Sequence, residues 1–173
     1  LIVYWAVSGS GMANAQQRSD LNLVIAIDCS WSVNKTEYAL QVGGIATAFS
    51  NPEVIAAIQR GQHKNIAVTV VQWSTAGSQV IAIPWTQITT LQDSLKFASR
   101  AATLERLTLE GGTSITAALN FSQNLLANAP FRADRHVIDV VADGESNNGG
   151  RVEPMRDFVI GQGTTINGLA VIN

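Results

Sequence analysis

The chain has 173 residues, the length of a single domain; 46% of them are hydrophobic and 14% are charged. This composition supplies enough apolar surface for a core and excludes an intrinsically disordered chain. The net charge is −2 and acidic and basic residues are mixed along the chain, so no nucleic-acid-binding surface is indicated.

The chain begins with an apolar run, LIVYWAV, followed by small residues that end in Ala13-Asn14-Ala15. An apolar run before an A-x-A site is typical of a secretory signal peptide, here without its basic start. The run is too short to cross a bilayer. We therefore expect a truncated signal peptide at 1–15, a domain at 16–173, and a secreted or periplasmic protein. The alternative is an N-terminal tail without a targeting role.

Continuous apolar runs and apolar residues at helical spacing alternate along the domain, which predicts alternating strands and helices. The predicted elements are a strand at 21–27, helices at 35–50 and 53–60, strands at 66–73 and 80–85, helices at 91–104 and 114–127, a strand at 136–142, a helix at 152–160 and a strand at 164–172. A short connection that contains Gly77 favours an antiparallel hairpin, which places the strand at 80–85 at a sheet edge.

This alternation predicts crossover connections and a mostly parallel sheet with helices on both faces. The expected fold class is therefore α/β, a three-layer α/β/α Rossmann-like sandwich with one antiparallel edge strand. Ligands of such sheets bind beyond the carboxyl ends of the strands. No helix follows the last predicted strand, so we expect the domain at 16–173 to be C-terminally incomplete.

Three polar loops lie after predicted strands or before a predicted helix. They are Asp28-Cys29-Ser30-Trp31-Ser32, Gly111-Gly112-Thr113-Ser114 and Ala142-Asp143-Gly144-Glu145. They offer carboxylate and hydroxyl oxygens, which suit hard cations, and the glycines allow close approach of the backbone. Taken singly, each loop is also explained by helix capping or an ordinary turn. Three such loops in one topology favour a metal site.

The combination of D-x-S-x-S after a buried strand, Gly-Gly-Thr before a helix, and Asp-Gly after a strand resembles the metal-ion-dependent adhesion site of von Willebrand factor type A domains. The resemblance covers residues 21–173, and the stretch DVVADGESNNG at 139–149 looks more like an uncharacterised bacterial secreted branch than like the integrins. It implies that one divalent cation is held by Asp28, Ser30, Ser32, Thr113 and Asp143. Mg²⁺ is the expected ion, with Mn²⁺ or Ca²⁺ as alternatives.

The resemblance implies a binding module in which the cation bridges to an acidic residue of a protein or peptide partner. A metal-assisted hydrolase is the second hypothesis, but the sequence offers no nucleophile–base pair, no histidine near the loops and no phosphate-binding loop. We therefore expect no enzymatic activity and no catalytic residues. A purely structural cation that only joins the three loops is the third hypothesis.

Several further residues carry weaker expectations. Cys29 is expected to be an inert core thiol, and His63, flanked by Gln and Lys, to be solvated. Trp31 is either an exposed interface anchor or packed at the sheet rim. Asp139 lies within a buried strand pattern and should have a hydrogen-bond partner. The segment at 147–150 is consistent with a simple connecting loop.

Overall fold

The computed structural model describes residues 17–108 and 111–171. The predicted signal peptide at 1–15, Glu110 and the last two residues lie outside the described residues. The elements, in chain order, are β1 (Arg18–Asp28), α1 (Lys35–Ser50), α2 (Pro52–Gln59), β2 (Ile66–Trp73), β3 (Gln79–Ile88), α3 (Leu91–Ala102), α4 (Ile115–Ala127), β4 (Arg132–Ala142), α5 (Val152–Gly161) and β5 (Thr164–Ala170).

The strands form one five-stranded sheet in the order β3-β2-β1-β4-β5. β1 pairs in parallel with β2 and β4, and β4 pairs in parallel with β5. β2 and β3 are antiparallel, so β3 is an edge strand. The predicted α/β sandwich with one antiparallel edge strand is confirmed. Helices follow β1 and β4 because parallel neighbours require crossover connections.

Side chains of the central strand β1 alternate between two hydrophobic cores. Ile25 and Ile27 belong to the core under α1, α2 and α3, where the rings of Phe49 and Phe97 are 4.6 Å apart. Val24 belongs to the opposite core, under α4 and α5. Burial of each such side chain contributes roughly 1.5–3 kcal/mol, which explains why residues 23–27 of β1 are all apolar.

Several element boundaries differ from the predicted ones by a few residues, and the start of β4 and the end of β3 are clear examples. β4 begins at Arg132 rather than at 136, because Arg18 to Leu21 of β1 pair with Arg132 to Arg135. These residues are mostly polar and exposed, so main-chain hydrogen bonds rather than apolar burial determine the start of the strand. β3 likewise extends to Ile88, beyond the predicted end at 85.

One face of β4 and β5 borders a groove of about 970 Å³ that is also lined by β1 and α1. Asp139 lies along this groove, and its Oδ1 accepts a hydrogen bond from Asn167 Nδ2 at 2.7 Å. The partner expected for Asp139 is therefore Asn167. Within the described ranges, no helix is long and apolar enough to cross a membrane.

A buried glutamine connects the carboxyl end of β1 to α1. Gln41 Oε1 accepts a hydrogen bond from the Asp28 amide at 3.0 Å, and Gln41 Nε2 donates to the Asp28 carbonyl oxygen at 2.9 Å. Gln41 is only 6% exposed. One side chain therefore completes both main-chain hydrogen bonds of the residue at which β1 ends.

We expect Gln41→Leu to lower the free energy of unfolding by about 2–5 kcal/mol, because it leaves two buried main-chain groups unpaired. Urea-induced unfolding measures the loss. Gln92→Leu is the matched control, since Gln92 is exposed on α3 and the same change there should alter stability by less than about 0.5 kcal/mol. Equal losses in the two variants would contradict this role for Gln41.

Candidate metal centre

The three polar loops meet at the carboxyl edge of the sheet. β1 ends at Asp28, which is paired with Trp73 at the end of β2, and Asp143 follows the last residue of β4. The amide of Cys29 continues this pairing by donating to the Trp73 carbonyl oxygen at 2.8 Å. Because β1, β2 and β4 are parallel and in register, their following residues lie side by side.

Four of the five predicted ligands form a set of residues connected by hydrogen bonds. The Ser30 amide donates to Asp28 Oδ1 at 2.7 Å, and the hydroxyl oxygens of Ser30 and Ser32 are 3.1 Å apart. Ser32 Oγ in turn donates to Asp143 Oδ1 at 2.8 Å. The first and third loops, 111 residues apart in sequence, are therefore in direct contact.

Asp28 is the most enclosed member of this set, with no exposed surface. Burial raises the pKa of its carboxyl group above the usual range, and the nearby Asp143 carboxylate adds to the rise, while hydrogen bonds from Ser30 oppose it. Asp28 Oδ2 is buried and makes no hydrogen bond to any described residue. A buried, unpartnered carboxylate oxygen close to a second carboxylate fits a site for a cation.

Thr113 lies in the second loop, whose neighbouring residues contact the first loop and the end of β2 through their main chains. The second loop meets the first where the Trp31 amide donates to the Gly111 carbonyl oxygen at 2.9 Å. It meets the end of β2 where the Ser114 amide donates to the Ser74 carbonyl oxygen at 2.8 Å. Thr113 itself is 3% exposed and directly precedes Ser114, the N-cap of α4.

The segment at 147–150 does more than connect β4 to α5. Asn147 Oδ1 accepts a hydrogen bond from the Thr113 amide at 2.8 Å, and the Asn147 amide donates to the Thr113 carbonyl oxygen at 2.9 Å. Asn148 Oδ1 accepts from the Ala76 amide at 2.9 Å. A Cβ at Gly112 would lie 2.8 Å from Asn147 Oδ1, so the glycine permits this close contact.

The residues present therefore fit a hard divalent cation. Asp28, Ser30, Ser32 and Asp143 offer only oxygen atoms, the donor type that Mg²⁺, Mn²⁺ and Ca²⁺ prefer. Asparagine side chains hold the loop of Thr113 in place without adding imidazole or thiolate. The metal-binding role of the five residues stays a prediction.

The remaining expectations have mixed outcomes. Cys29 is completely buried, which confirms the expected core position, and burial raises the pKa of its thiol to about 12, as expected for an unreactive cysteine. Trp31 is 76% exposed, so it is not packed at the sheet rim. The expectation that His63 is solvated is wrong: its side chain is 15% exposed because the α2–β2 loop folds against β1 and β4.

Comparison with known proteins places the chain in a sequence family. A family model described as "Protein of unknown function (DUF1194)" matches residues 18–173. No curated protein sequence matches the chain at a significant level.

Solved structures with a similar fold include proteins with an occupied metal site. Proximal thread matrix protein 1 from the mussel byssus, with a zinc-occupied MIDAS motif, matches with a TM-score of 0.66 and 18% identity over 90% of this chain and 39% of that chain. The manganese-loaded TRAP protein of Plasmodium vivax matches with a TM-score of 0.58 and 16% identity, over 88% of this chain and 57% of that chain.

A structure described as von Willebrand factor type A from Catenulispora acidiphila matches with a TM-score of 0.56 and 18% identity. The match covers 89% of this chain and 33% of that chain. This chain thus spans between one third and three fifths of the length of these three structures. The chain belongs to the DUF1194 family, and its fold is that of a von Willebrand factor type A domain.

Proposed function

We propose that the chain is a divalent-cation-dependent interaction module that binds an acidic group on a protein or peptide partner. The observation that carries this proposal is the connected set at the carboxyl edge: Ser30, Ser32 and Asp143 in contact, with the unpartnered Asp28 Oδ2 buried beside them. The metal-bearing structures of similar fold support it.

Each proposed ligand has a distinct place in the site. Asp28 is buried at the base, where its charge is not screened by solvent, whereas Ser32 is exposed and Asp143 partly exposed. Thr113 belongs to the loop fixed by Asn147. Bound Mg²⁺ would supply a positive centre with a coordination position open to an outside carboxylate. Two protein carboxylates balance the charge of such an ion without making the site anionic, so a partner carboxylate that coordinates the ion directly meets no net repulsion.

The surface beside these loops suits a protein partner. Trp31 lies between the two serines of the first loop and is 76% exposed, and Leu107 is 55% exposed. Exposed tryptophan is the residue type that most often contributes strongly to protein interfaces. We propose that Trp31 provides apolar contact area next to the charged site, while the cation selects an acidic residue.

We propose binding rather than catalysis at this edge. A hydrolase would need a nucleophile or a general base next to the metal ligands. Cys29 is the nearest thiol, and burial keeps it protonated. His63 precedes β2 and His136 lies in the first half of β4, so both are remote from the carboxyl edge. We also propose a secreted or periplasmic location, supported by the signal-peptide pattern at 1–15.

The proposed cation site predicts stabilisation by Mg²⁺. At a concentration 100 times its dissociation constant, an ion that binds only the folded state stabilises it by about 2.7 kcal/mol, a rise of roughly 5–10 °C in Tm for a domain of this size. Thermal unfolding in EDTA and then with added Mg²⁺, Mn²⁺ or Ca²⁺ measures the rise.

Two variants identify the atoms responsible. Asp28→Ala and Ser32→Ala should each reduce the rise in Tm, and Ser32 is exposed enough for its variant to fold normally. Glu145→Ala is the matched control, because Glu145 is an exposed acid two residues beyond Asp143 and should leave the rise unchanged. The same rise in all three variants, or no rise with any divalent ion, would disprove the proposed site.

The partner hypothesis predicts cation-dependent capture of acidic peptides. We expect a displayed library of random peptides, selected on the immobilised chain in Mg²⁺, to yield sequences that contain Asp or Glu and dissociate in EDTA. Replacing that acid by its amide should abolish binding, and Trp31→Ala should weaken it by more than about 1 kcal/mol, that is by more than roughly fivefold. Turnover of p-nitrophenyl phosphate or acetate with Mg²⁺ or Mn²⁺ would favour the hydrolase instead.

A further inference from the structure

A second cluster of metal-ligand side chains lies at the opposite edge of the sheet. Asp20 belongs to the start of β1, His63 to the α2–β2 loop and Asp134 to the start of β4. One ligand atom from each lies within 4.8 Å of the others, and His63 Nε2 is 3.2 Å from Asp134 Oδ2. Asp20 and Asp28 are eight residues apart on β1, about 26 Å, so this amino-edge cluster is separate from the site at Asp28.

The α2–β2 loop is built around the Asp20 carboxylate. Asp20 Oδ1 accepts a hydrogen bond from the His63 amide at 2.8 Å, and Oδ2 lies 3.4 Å from the Asn65 amide nitrogen, which donates to it. Lys64, between these residues, has a positive φ of 55°. A Cβ at Gly61 would collide with the Asp20 carboxylate. The position of Asp20 is therefore fixed by the loop that also carries His63.

The imidazole of His63 is enclosed but incompletely bonded. Its Nε2 atom is buried and makes no hydrogen bond to the part of the chain that the structure describes. The nearby Asp134 oxygen is within ion-pair distance, but it is not aligned for a hydrogen bond. A buried ring nitrogen of this kind normally has a hydrogen-bond partner or a metal ion.

Charge gives a second reason for a cation. Asp20 and Asp134 are carboxylates on neighbouring parallel strands, and their oxygens lie within 4.8 Å of each other and of His63. Like charges this close raise the energy of the folded chain unless a positive charge lies between them. A metal ion offsets this repulsion and also binds the free nitrogen.

We propose that Asp20, His63 and Asp134 form a second divalent-metal site, of the kind that binds Zn²⁺, which joins the α2–β2 loop to β1 and β4. One imidazole and two carboxylates suit zinc, whereas the oxygen-only edge suits Mg²⁺. Tetrahedral ligands about 2.1 Å from zinc lie about 3.4 Å apart. The 3.2 Å between His63 Nε2 and Asp134 Oδ2 is already close to this spacing, and the other distances in the cluster, at most 4.8 Å, require only a small adjustment. Asp134 can supply this movement, because its side chain is 53% exposed.

Zinc binding is tested in the full chain carrying Asp143→Asn, which removes a carboxylate from the other edge. Equilibrium dialysis should find one zinc ion per chain. Adding His63→Ala or Asp134→Asn to this chain should weaken zinc binding by more than roughly 100-fold. Loss of a hydrogen bond that only orients a metal ligand costs less, roughly 10–100-fold. His136→Gln is the control, since it changes the only other histidine and should leave binding unchanged.

A spectroscopic readout separates coordination from weak surface binding. Co²⁺ added to the Asp143→Asn chain should give the intense visible absorption of a tetrahedral site, and Zn²⁺ should abolish it by displacement. Asp134→Asn keeps the test valid if His63→Ala does not fold, because Asp134 is exposed. No bound zinc, or equal affinity with Asp134→Asn, overturns the proposal and leaves His63 and Asp134 as an ion pair only.

Discussion

At the carboxyl end of β1 the strand stops while its backbone is still enclosed, and buried main-chain groups must be hydrogen-bonded. Gln41 supplies both bonds to Asp28 from the second turn of α1. The loop at 29–34 therefore starts from a fixed strand end and finishes at a helix that is bonded to that same end. A movement of α1 would change the position of the Asp28 main chain, so α1 and the proposed metal loop are expected to move together.

Side-chain amides hold the second polar loop and the segment that precedes it in the same way. Gln72, completely buried at the end of β2, donates from Nε2 to the Glu105 carbonyl oxygen and accepts from the Leu107 amide through Oε1. Asn147 makes the corresponding pair of contacts with Thr113. Side-chain amides can donate and accept at once, so each one replaces a missing strand neighbour. The loops at the carboxyl edge are thus held by hydrogen bonds within the chain, which lowers the conformational entropy that is lost when a ligand binds.

Local patterns in the sequence were sufficient to predict the fold. The apolar run at 21–27 predicts a central strand, and the bounds of α1 and β2 agree with the predicted ranges. The three loops, including Asp28 and Asp143, were also evident, because carboxyl ends of parallel strands share an edge. The burial of Gln41 and His63 could not be predicted, because the sequence around a polar side chain does not indicate whether that side chain is buried. Their partners, Asp28 and Asp20, lie 13 and 43 residues away in sequence.

The two edges of the sheet differ in chemistry because different connections build them. Strand-to-helix loops at the carboxyl edge bring together Asp28, Ser32 and Asp143, whereas a helix-to-strand loop at the amino edge brings His63 to Asp20. β1 contributes an aspartate to each edge, eight residues apart, and is rigidly paired on both sides between them. Sites about 26 Å apart that share no partner contribute to stability additively. On the two proposals together, the ions would stabilise one strand from both ends, and loss of either would leave the affinity of the other unchanged.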